Sequence, residues 1–307
     1  MSAIESDIYG VDLEPDAASL RLASDDPSSD ASPPGTRLWW LQDIARRPGV
    51  VLAALYVLLI LVCVAAPSLV AAHGPETIVP ADKLLGPSLA HPFGSDWLGR
   101  DLLSRMVYAC RPSIEAMLIA VGIGALGGLV LGVVSGFLGG WVDAVLMRAV
   151  DVMLAIPGLL LALAIVTAIG FGTVHVSIAV GVGIVPGFAR ITRAQVLRIR
   201  TLPYVEAART SGATLTRVLW RYVLPNAWHP VAVLIVFDCG TAILSIAALS
   251  FLGFGPQPPA TDLGTLVASG QDYLATAPWL SLFPGVAVGL LVFSLNHLAK
   301  TLEEVKR

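Results

Sequence analysis

Long apolar stretches separated by short polar ones dominate the sequence. A helix needs roughly 20 apolar residues to cross a hydrocarbon core about 30 Å thick. Six stretches meet this requirement and are predicted to span a membrane: about 50–71, 114–138, 146–169, 174–191, 230–252 and 280–299. The pattern therefore predicts an all-α, polytopic membrane protein.

The fourth predicted span is short and contains Gly181, Gly183 and the pair Pro186-Gly187. Proline and glycine are tolerated in membrane helices where neighbouring helices satisfy the freed backbone groups. We therefore keep this stretch as a span and expect a bend near Pro186.

Glycine recurs every four residues in the second predicted span, at Gly124, Gly128, Gly132 and Gly136. This spacing lines one helix face with hydrogen atoms, so that a neighbouring backbone can approach closely. The pattern predicts helix packing. It leaves open whether the neighbouring helix belongs to this chain or to a partner subunit.

Composition agrees with a membrane protein, since 56% of the residues are hydrophobic, 13% are charged and the mean hydropathy is +0.78. If the N-terminus is cytoplasmic, 15 of the 19 basic residues lie on that side, leaving Lys83, Arg100, Arg105 and Arg111 on the other. This asymmetry is the positive-inside pattern. We expect both termini to be cytoplasmic.

Residues 1–36 hold eight acids against the single Arg21 and have little apolar content. Such a segment cannot offset the entropy of ordering, and it lacks the basic start of a signal peptide. We predict a disordered, acidic cytoplasmic tail, followed by a membrane domain over residues 37–307. Cys63, Cys110 and Cys239 are scattered, so neither a disulfide framework nor a metal site is predicted.

An arginine-rich stretch lies between the fourth and fifth predicted spans, and we expect it to face water or another protein. Its arginines are Arg190, Arg193, Arg198, Arg200, Arg209, Arg217 and Arg221. Residues 204–222 read as helical, with Gly212 suited to a bend between two short helices. Because proline lacks a backbone donor, a break is expected at Pro225. A loop lying on anionic lipid is the alternative interpretation.

The order Glu206-Ala207-Ala208, three residues, Gly212 and then Leu224-Pro225 resembles the EAA loop of ABC importer permeases. We call residues 192–228 the EAA segment. Three further stretches resemble the C-type permeases of dipeptide and oligopeptide importers: His91–Asp96 with Leu98–Asp101, Ser104 and Arg105; Gly139–Asp143 with Met147, Arg148, Asp151, Pro157 and Gly158; and Leu249–Gly255 with Gln257–Pro259.

The resemblance covers about residues 38–300 and implies the six-helix fold of type I ABC importer permeases. Three positions depart from the family pattern: Tyr222 within the EAA segment, Leu263 where a tryptophan usually precedes glycine, and the ending Asn296–Lys300. The departures leave the cargo open. Peptides are the first expectation, and a nickel chelate, haem or glutathione are alternatives.

The chain has no Gly-x-x-x-x-Gly-Lys-Ser/Thr motif, so it cannot cradle nucleotide phosphates in that way. The resemblance implies no cofactor in this chain, with ATP and Mg²⁺ held by two cytoplasmic ATPase subunits. It also implies a second, related permease subunit, an extracytoplasmic binding protein and location in a bacterial inner membrane.

Docking of the ATPase subunits is expected at Glu206, Ala207, Ala208, Gly212, Leu224 and Pro225. Glu206 would be a polar anchor, or alternatively a first-turn acid favoured by the helix dipole. Ala207, Ala208 and Gly212 would let the partner approach closely.

Charges inside apolar stretches are costly, which singles out Asp238 and the pair Arg148 and Asp151. Asp238 either lines the translocation path, where it meets a peptide amino group, or forms a hydrogen bond between helices. Arg148 and Asp151, spaced i to i+3, are expected to neutralise each other. An ion-coupled secondary transporter is the rival class, although such a protein needs no EAA loop.

Overall fold

The computed structural model describes residues 48–304, and the regular secondary structure of these residues is helical. The predicted tail at 1–36 lies outside the described residues. The helices are α1 (Pro48–Ala65), α2 (Leu102–Leu138), α3 (Gly140–Ala155), α4 (Gly158–Ile169), α5 (Thr173–Arg200), α6 (Pro203–Thr210), α7 (Leu215–Val218), α8 (Leu224–Phe251), α9 (Leu263–Gly270) and α10 (Trp279–Glu304).

Five helices of the described chain are long and apolar enough to cross a membrane: α1, α2, α5, α8 and α10. The third predicted span is instead broken into α3 and α4, which meet at 95° and bring the number of spans to six if they are taken together. The break falls at Pro157, whose missing N–H and fixed ring stop the helix at Ala155.

Two helix boundaries differ from the apolar stretches that predicted them. Helix α1 ends at Ala65 because Pro67 restricts the residue before it. Helix α2 begins at Leu102, well before its apolar stretch, because the carboxylate of Asp101 accepts a hydrogen bond from the Ser104 N–H and caps the first turn. Helix α5 runs through Pro186 without interruption, so the expected bend does not break it.

The long helices run the length of the bundle, which therefore has two ends. We call the end that carries the EAA segment the proximal end, and the opposite end, with residues 66–101 and 252–278, the distal end. At the distal end the Gly172 N–H before α5 donates to the Phe254 carbonyl after α8, at 2.9 Å. Both neighbours of the EAA segment, α5 and α8, therefore traverse the full bundle.

The glycine face of α2 lies against α5 of the same chain. A methyl group added at Gly132 would lie 2.6 Å from the carbonyl oxygen of Ala189, and one at Gly136 would lie 2.9 Å from Cβ of Val196. At Gly124 the nearest atom would be Cβ of Ile184, at 3.0 Å. The question left open by the sequence is therefore answered, because the neighbouring helix is the chain's own α5.

Replacing Gly128 by alanine should destabilise the bundle. The new methyl group would lie 2.8 Å from backbone atoms of Val185 and Ala189, which cannot move aside as a flexible side chain can. Overpacking of this kind costs about 1–3 kcal/mol. We expect Gly128→Ala to lower the melting temperature of the protein purified in detergent.

Gly122 provides the matched control for this prediction, because it lies in the same helix and a methyl group there meets no atom within 4 Å. Gly122→Ala should be neutral or stabilising by up to about 1 kcal/mol, since alanine loses less entropy than glycine in a helix. Equal melting temperatures for the two variants would contradict the tight contact between α2 and α5.

Candidate functional site

The EAA segment folds as short helices joined by a sharp bend. Helix α6 carries Glu206, Ala207 and Ala208 and ends at Thr210. Gly212 follows with φ +84°, a left-handed conformation that side chains disfavour, and α7 then begins at Leu215. The bend at Gly212 thus has the position and the cause that the sequence predicted.

The expected break at Pro225 is wrong. A wide π-helical turn at Leu219–Val223 follows α7, and α8 begins at Leu224 directly after it. Pro225 lies in the first turn of α8, where its missing N–H has no intrahelical partner to lose. The helical path therefore continues from the EAA segment into the fifth span.

A concave surface of about 360 Å³ lies between α6 and the chain that returns toward α8. It is formed largely by small side chains, namely Ala207, Ala208, Ser211, Gly212 and Ala213. A methyl group added at Gly212 would meet no atom within 4 Å, so the space above it is open. The arrangement admits a protruding side chain or helix of another protein.

Two aromatic side chains, Tyr204 and Tyr222, line this surface, and no sequence motif marks them as site residues. Tyr204 and Tyr222 lie with their rings 6.3 Å apart, and the Asn226 amide donates to the Tyr222 carbonyl at 2.6 Å. Trp220 is 68% exposed and Trp228 is 52% exposed. Aromatic residues are enriched at protein interfaces, and the four aromatic residues between positions 204 and 228 were the available sequence signal.

The predicted docking residues occupy different parts of the segment. Glu206 and Ala207 are exposed on α6, whereas Ala208 is half-buried. Leu224 is half-buried and Pro225 is exposed at the start of α8. The structure thus brings the alanines and Gly212 together on the concave surface, while Leu224 and Pro225 lie in the helix that leads away from it.

Part of the arginine-rich stretch bonds within the chain instead of facing a partner. Arg193 makes two contacts of 2.6 Å with the carboxylate of Asp143, which also accepts from Ser135. Arg200 donates to the Gly136 carbonyl at 2.8 Å. These bonds fasten the proximal end of α5 to α2 and α3.

The expected pairing of Arg148 with Asp151 is also wrong. The carboxylate of Asp151 accepts from Arg190 at 2.7 Å, and Arg148 has no ion pair within residues 48–304. A spacing of i to i+3 places two side chains on one helix face, but packing brings Arg190 of α5 closer. The i to i+3 rule predicts neighbours within a helix and carries no information about a facing helix.

Asp238 lies half-buried in α8. Within the described part of the chain, its carboxylate has no hydrogen bond and no ion pair. A carboxylate without a protein partner is costly inside an apolar helix. The described residues therefore provide no hydrogen bond between helices that would explain why an acid lies at position 238.

At the distal end, Asp96 organises a buried ion cluster. Its carboxylate accepts from Arg100 at 2.6 Å and from Arg105 at 2.8 Å, and it is fully buried. It also accepts from the backbone N–H of Leu98 at 2.8 Å. Buried charges need several such bonds to offset their desolvation. These bonds hold residues 96–105, part of a stretch that resembles the C-type permeases, in a compact fold.

His91 lies beside this cluster between two carboxylates, 2.9 Å from Asp101 and 3.4 Å from Asp82. The hydrogen bond with Asp101 raises the pKa of His91 above its ordinary value, against the effect of burial. Burial favours a higher pKa for Asp101, but bonds from Ser104 and His91 outweigh it and lower the pKa. The pair is therefore stabilised in its charged form.

His73 also approaches this group, so that possible ligand atoms of His73, His91 and Asp101 lie within 4.8 Å of one another. The sequence predicted no metal site. Both ring nitrogens of His91 lie at hydrogen-bonding distances from carboxylates, those of Asp101 and Asp82.

Comparison with known proteins identifies the class. Residues 128–305 match the family of binding-protein-dependent transport system inner membrane components. The match includes the EAA segment and every helix from α3 to α10. The chain belongs to this family, and it is thus a permease subunit of a transport system.

Curated relatives agree over most of the chain. The probable D,D-dipeptide transport system permease protein DdpC of Escherichia coli K12 is 37% identical and covers 85% of this chain and 87% of its own length. The di/tripeptide permease protein DppC of Pseudomonas aeruginosa is 36% identical and covers 91% and 94%. The glutathione permease protein GsiD of Pectobacterium atrosepticum is 36% identical over 84% and 86%.

Solved structures of ABC transporters have the same fold. An inward-facing form of the MetNI methionine transporter superposes with a TM-score of 0.51 at 20% identity, over 66% of this chain and 96% of that one. An amino acid ABC transporter gives a TM-score of 0.50 at 18% identity, over 66% and 92%. The predicted all-α permease fold is confirmed.

The charged pair of His91 and Asp101 predicts that stability of the protein depends on pH. Because the folded pKa of His91 is raised, its contribution is complete below its ordinary pKa of about 6.5 and is lost as pH rises through the folded value. Asp101 stays charged in that range, since its pKa is lowered. The melting temperature should therefore fall as pH rises above about 6.5.

His91→Gln is the variant that checks this, because glutamine retains hydrogen bonding but cannot titrate. The pH dependence of its melting temperature should be smaller than that of the unmodified protein. A His175→Gln variant, altered at a histidine elsewhere in the bundle, serves as control. An unchanged pH dependence in His91→Gln would contradict the assignment.

Proposed function

We propose that this chain forms half of the translocation pathway of a peptide importer and is driven by ATPase subunits that bind its EAA segment. The cargo is a dipeptide or short oligopeptide, in agreement with the transport functions for which the relatives DdpC and DppC are named. Glutathione is itself a short peptide, so the relative GsiD favours the same cargo class. A nickel chelate or haem has no comparable support among these relatives.

The concave surface at the proximal end is the observation that carries this proposal. It combines open space above Gly212, the small side chains Ala207 and Ala208, and exposed aromatic rings nearby. Small residues permit close approach, and aromatic residues contribute much of the binding energy at interfaces. Glu206, exposed on α6, supplies a polar anchor beside the surface.

Movement of the surface would be transmitted through two helices. Helix α5 enters the EAA segment and is fastened near its end by Arg193 and Arg200, while α8 leaves the segment after the π-helical turn. ATP would bind the partner subunits with different affinity in the inward-open and outward-open states, and so shift the equilibrium between them. ATP and Mg²⁺ belong to these partners.

The complete assembly in this proposal contains a second, related permease, two ATPase subunits and an extracytoplasmic binding protein. It lies in a bacterial inner membrane with the proximal end in the cytoplasm. The distribution of basic residues supports this orientation, because Arg198, Arg217 and Arg221 are exposed at the proximal end.

Filling the concave surface should uncouple the ATPase subunits. Ala207→Arg places a long charged side chain on the surface without the backbone strain that a substitution at Gly212 would add. We expect peptide uptake by the reconstituted complex to fall at least about tenfold, which corresponds to the loss of about 1.4 kcal/mol of docking energy. Co-purification of the ATPase subunits should weaken in parallel.

Ala194→Arg is the matched control, because Ala194 is exposed near the proximal end of α5 but does not line the concave surface. This variant should retain uptake within about twofold of the unmodified complex. Normal uptake and normal ATPase binding in Ala207→Arg would refute the docking assignment. Uptake that persisted without ATP would instead favour an ion-coupled transporter.

Asp238, which has no partner in the described chain, is proposed to line the path and to meet the amino group of the cargo. Asp238→Asn should reduce peptide uptake about tenfold or more, since a hydrogen bond to a charged group contributes about 1.5–3 kcal/mol. Its melting temperature should not fall, because no bond within the described chain is lost and an unpartnered carboxylate is costly in an apolar helix.

Asp272→Asn, at an exposed acid of the distal end, is the control and should leave uptake unchanged. The structural alternative for Asp238 makes the opposite prediction. If the residue serves packing with another helix, Asp238→Asn should lower the melting temperature and leave uptake per assembled complex intact.

A further inference from the structure

A cavity of about 680 Å³ opens at the distal end, between the stretch around Arg100 and the chain that connects α8 to α9. Its volume lies in the range of small-molecule binding sites, about 300–1,000 Å³. Arg100 and Arg105 line the cavity, and within the described residues no acidic side chain does so. The charged groups of the lining are therefore guanidinium groups, although each is bonded to an acid outside the lining: both arginines to Asp96, and Arg100 also to Glu76 at 2.8 Å.

Asp96 holds both guanidinium groups in place from outside the cavity. It contacts Arg100 and Arg105 but does not itself line the cavity. The ring of Trp97 lies 5.6 Å from the guanidinium carbon of Arg100 and 6.0 Å from that of Arg105. Arginines fixed in this way lose little entropy when they bind a ligand.

Arg105 retains unused hydrogen-bonding capacity. The residue is only 4% exposed, and its Nε has no hydrogen-bond partner among the residues that the structure describes. Buried polar atoms are nearly always bonded, so this donor calls for a partner that the described residues do not supply. Because the Nε atom is itself buried, a ligand in the cavity reaches it only when a neighbouring side chain moves aside. The planar donor fork of arginine matches the two oxygens of a carboxylate.

We infer that this cavity binds a carboxylate group of the transported molecule before it enters the path. For a peptide, this is the terminal carboxylate. The inference rests on the proposed function, because it takes the cargo to be peptide-like. Gln271, an exposed amide on the same wall, offers a further donor. A cavity of about 680 Å³ has the size of a small-molecule site, so we assign it to the cargo and not to an acidic loop of the binding protein.

The test measures direct binding to the complete complex in lipid nanodiscs, without the binding protein. Titration calorimetry compares dialanine and N-acetylglycine with their C-terminal amides, which lack the negative charge. We expect both carboxylates to bind at least about tenfold more tightly than the amides. Arg105→Gln is unsuitable as the main variant, because it would also break the buried pair with Asp96.

Gln271→Glu is the better variant, since it keeps the size of the side chain and adds a competing carboxylate to the lining of the same cavity. It should weaken carboxylate binding about tenfold or more. Thr276→Glu adds the same charge to an exposed distal position outside the cavity and should leave binding within about twofold. Melting temperatures of both variants establish that the fold is retained.

Absence of carboxylate binding, or equal binding of acids and amides, would overturn the inference. A second titration, of the binding protein onto the same nanodiscs, separates the two sources: the inference also fails if Gln271→Glu weakens only that affinity, because the carboxylate would then come from the binding protein. These outcomes are independent of the Ala207→Arg experiment. The carboxylate site can be disproved while coupling through the EAA segment is upheld, and coupling can be disproved while the carboxylate site is upheld.

Discussion

Close contact between α2 and α5 is the constraint on which the rest of the structure depends. Four glycines on α2 let the backbones approach, and residues of α5 fill the space that side chains would otherwise occupy. In a membrane, such packing must supply much of the association energy, because lipid is as apolar as the helices. Asp143, Arg193 and Arg200 extend the contact to the proximal end with polar bonds. Helix α5 is therefore joined tightly to α2 where it enters the EAA segment.

The two ends of the bundle differ in how far their charged groups are buried. At the distal end, Asp96 and Asp101 engage their cationic neighbours in bonds that are largely buried, and the chain there forms a compact layer. At the proximal end, Glu206 and several arginines are exposed beside small side chains. This difference supports the two proposals, that cargo binds at the distal end and that a partner acts on the proximal end.

Much of the fold could be predicted from the sequence, because membrane helices are encoded by length and hydropathy. The glycine repeat and the bend at Gly212 are likewise local features with local causes. The break between α3 and α4 was missed because apolar residues flank Pro157 on both sides. The partner of Asp151 was missed because it lies on another helix, and only the packing of α5 against α3 brings Arg190 to it. The cavity beside Arg105 depends on segments more than a hundred residues apart, which no local pattern reports.

The π-helical turn at Leu219–Val223 has a consequence for how this protein tolerates change. The N–H of Leu224 bonds to the carbonyl of Leu219, five positions back, so this turn holds one residue more than an α-helical turn would. Each residue of an α-helix advances it by about 100° and 1.5 Å. The direction in which α6 points away from α8 is therefore set by the number of residues between Val218 and Leu224 as much as by their identity. A deletion or insertion in that short interval rotates α6 relative to α8, even where every other side chain is unchanged.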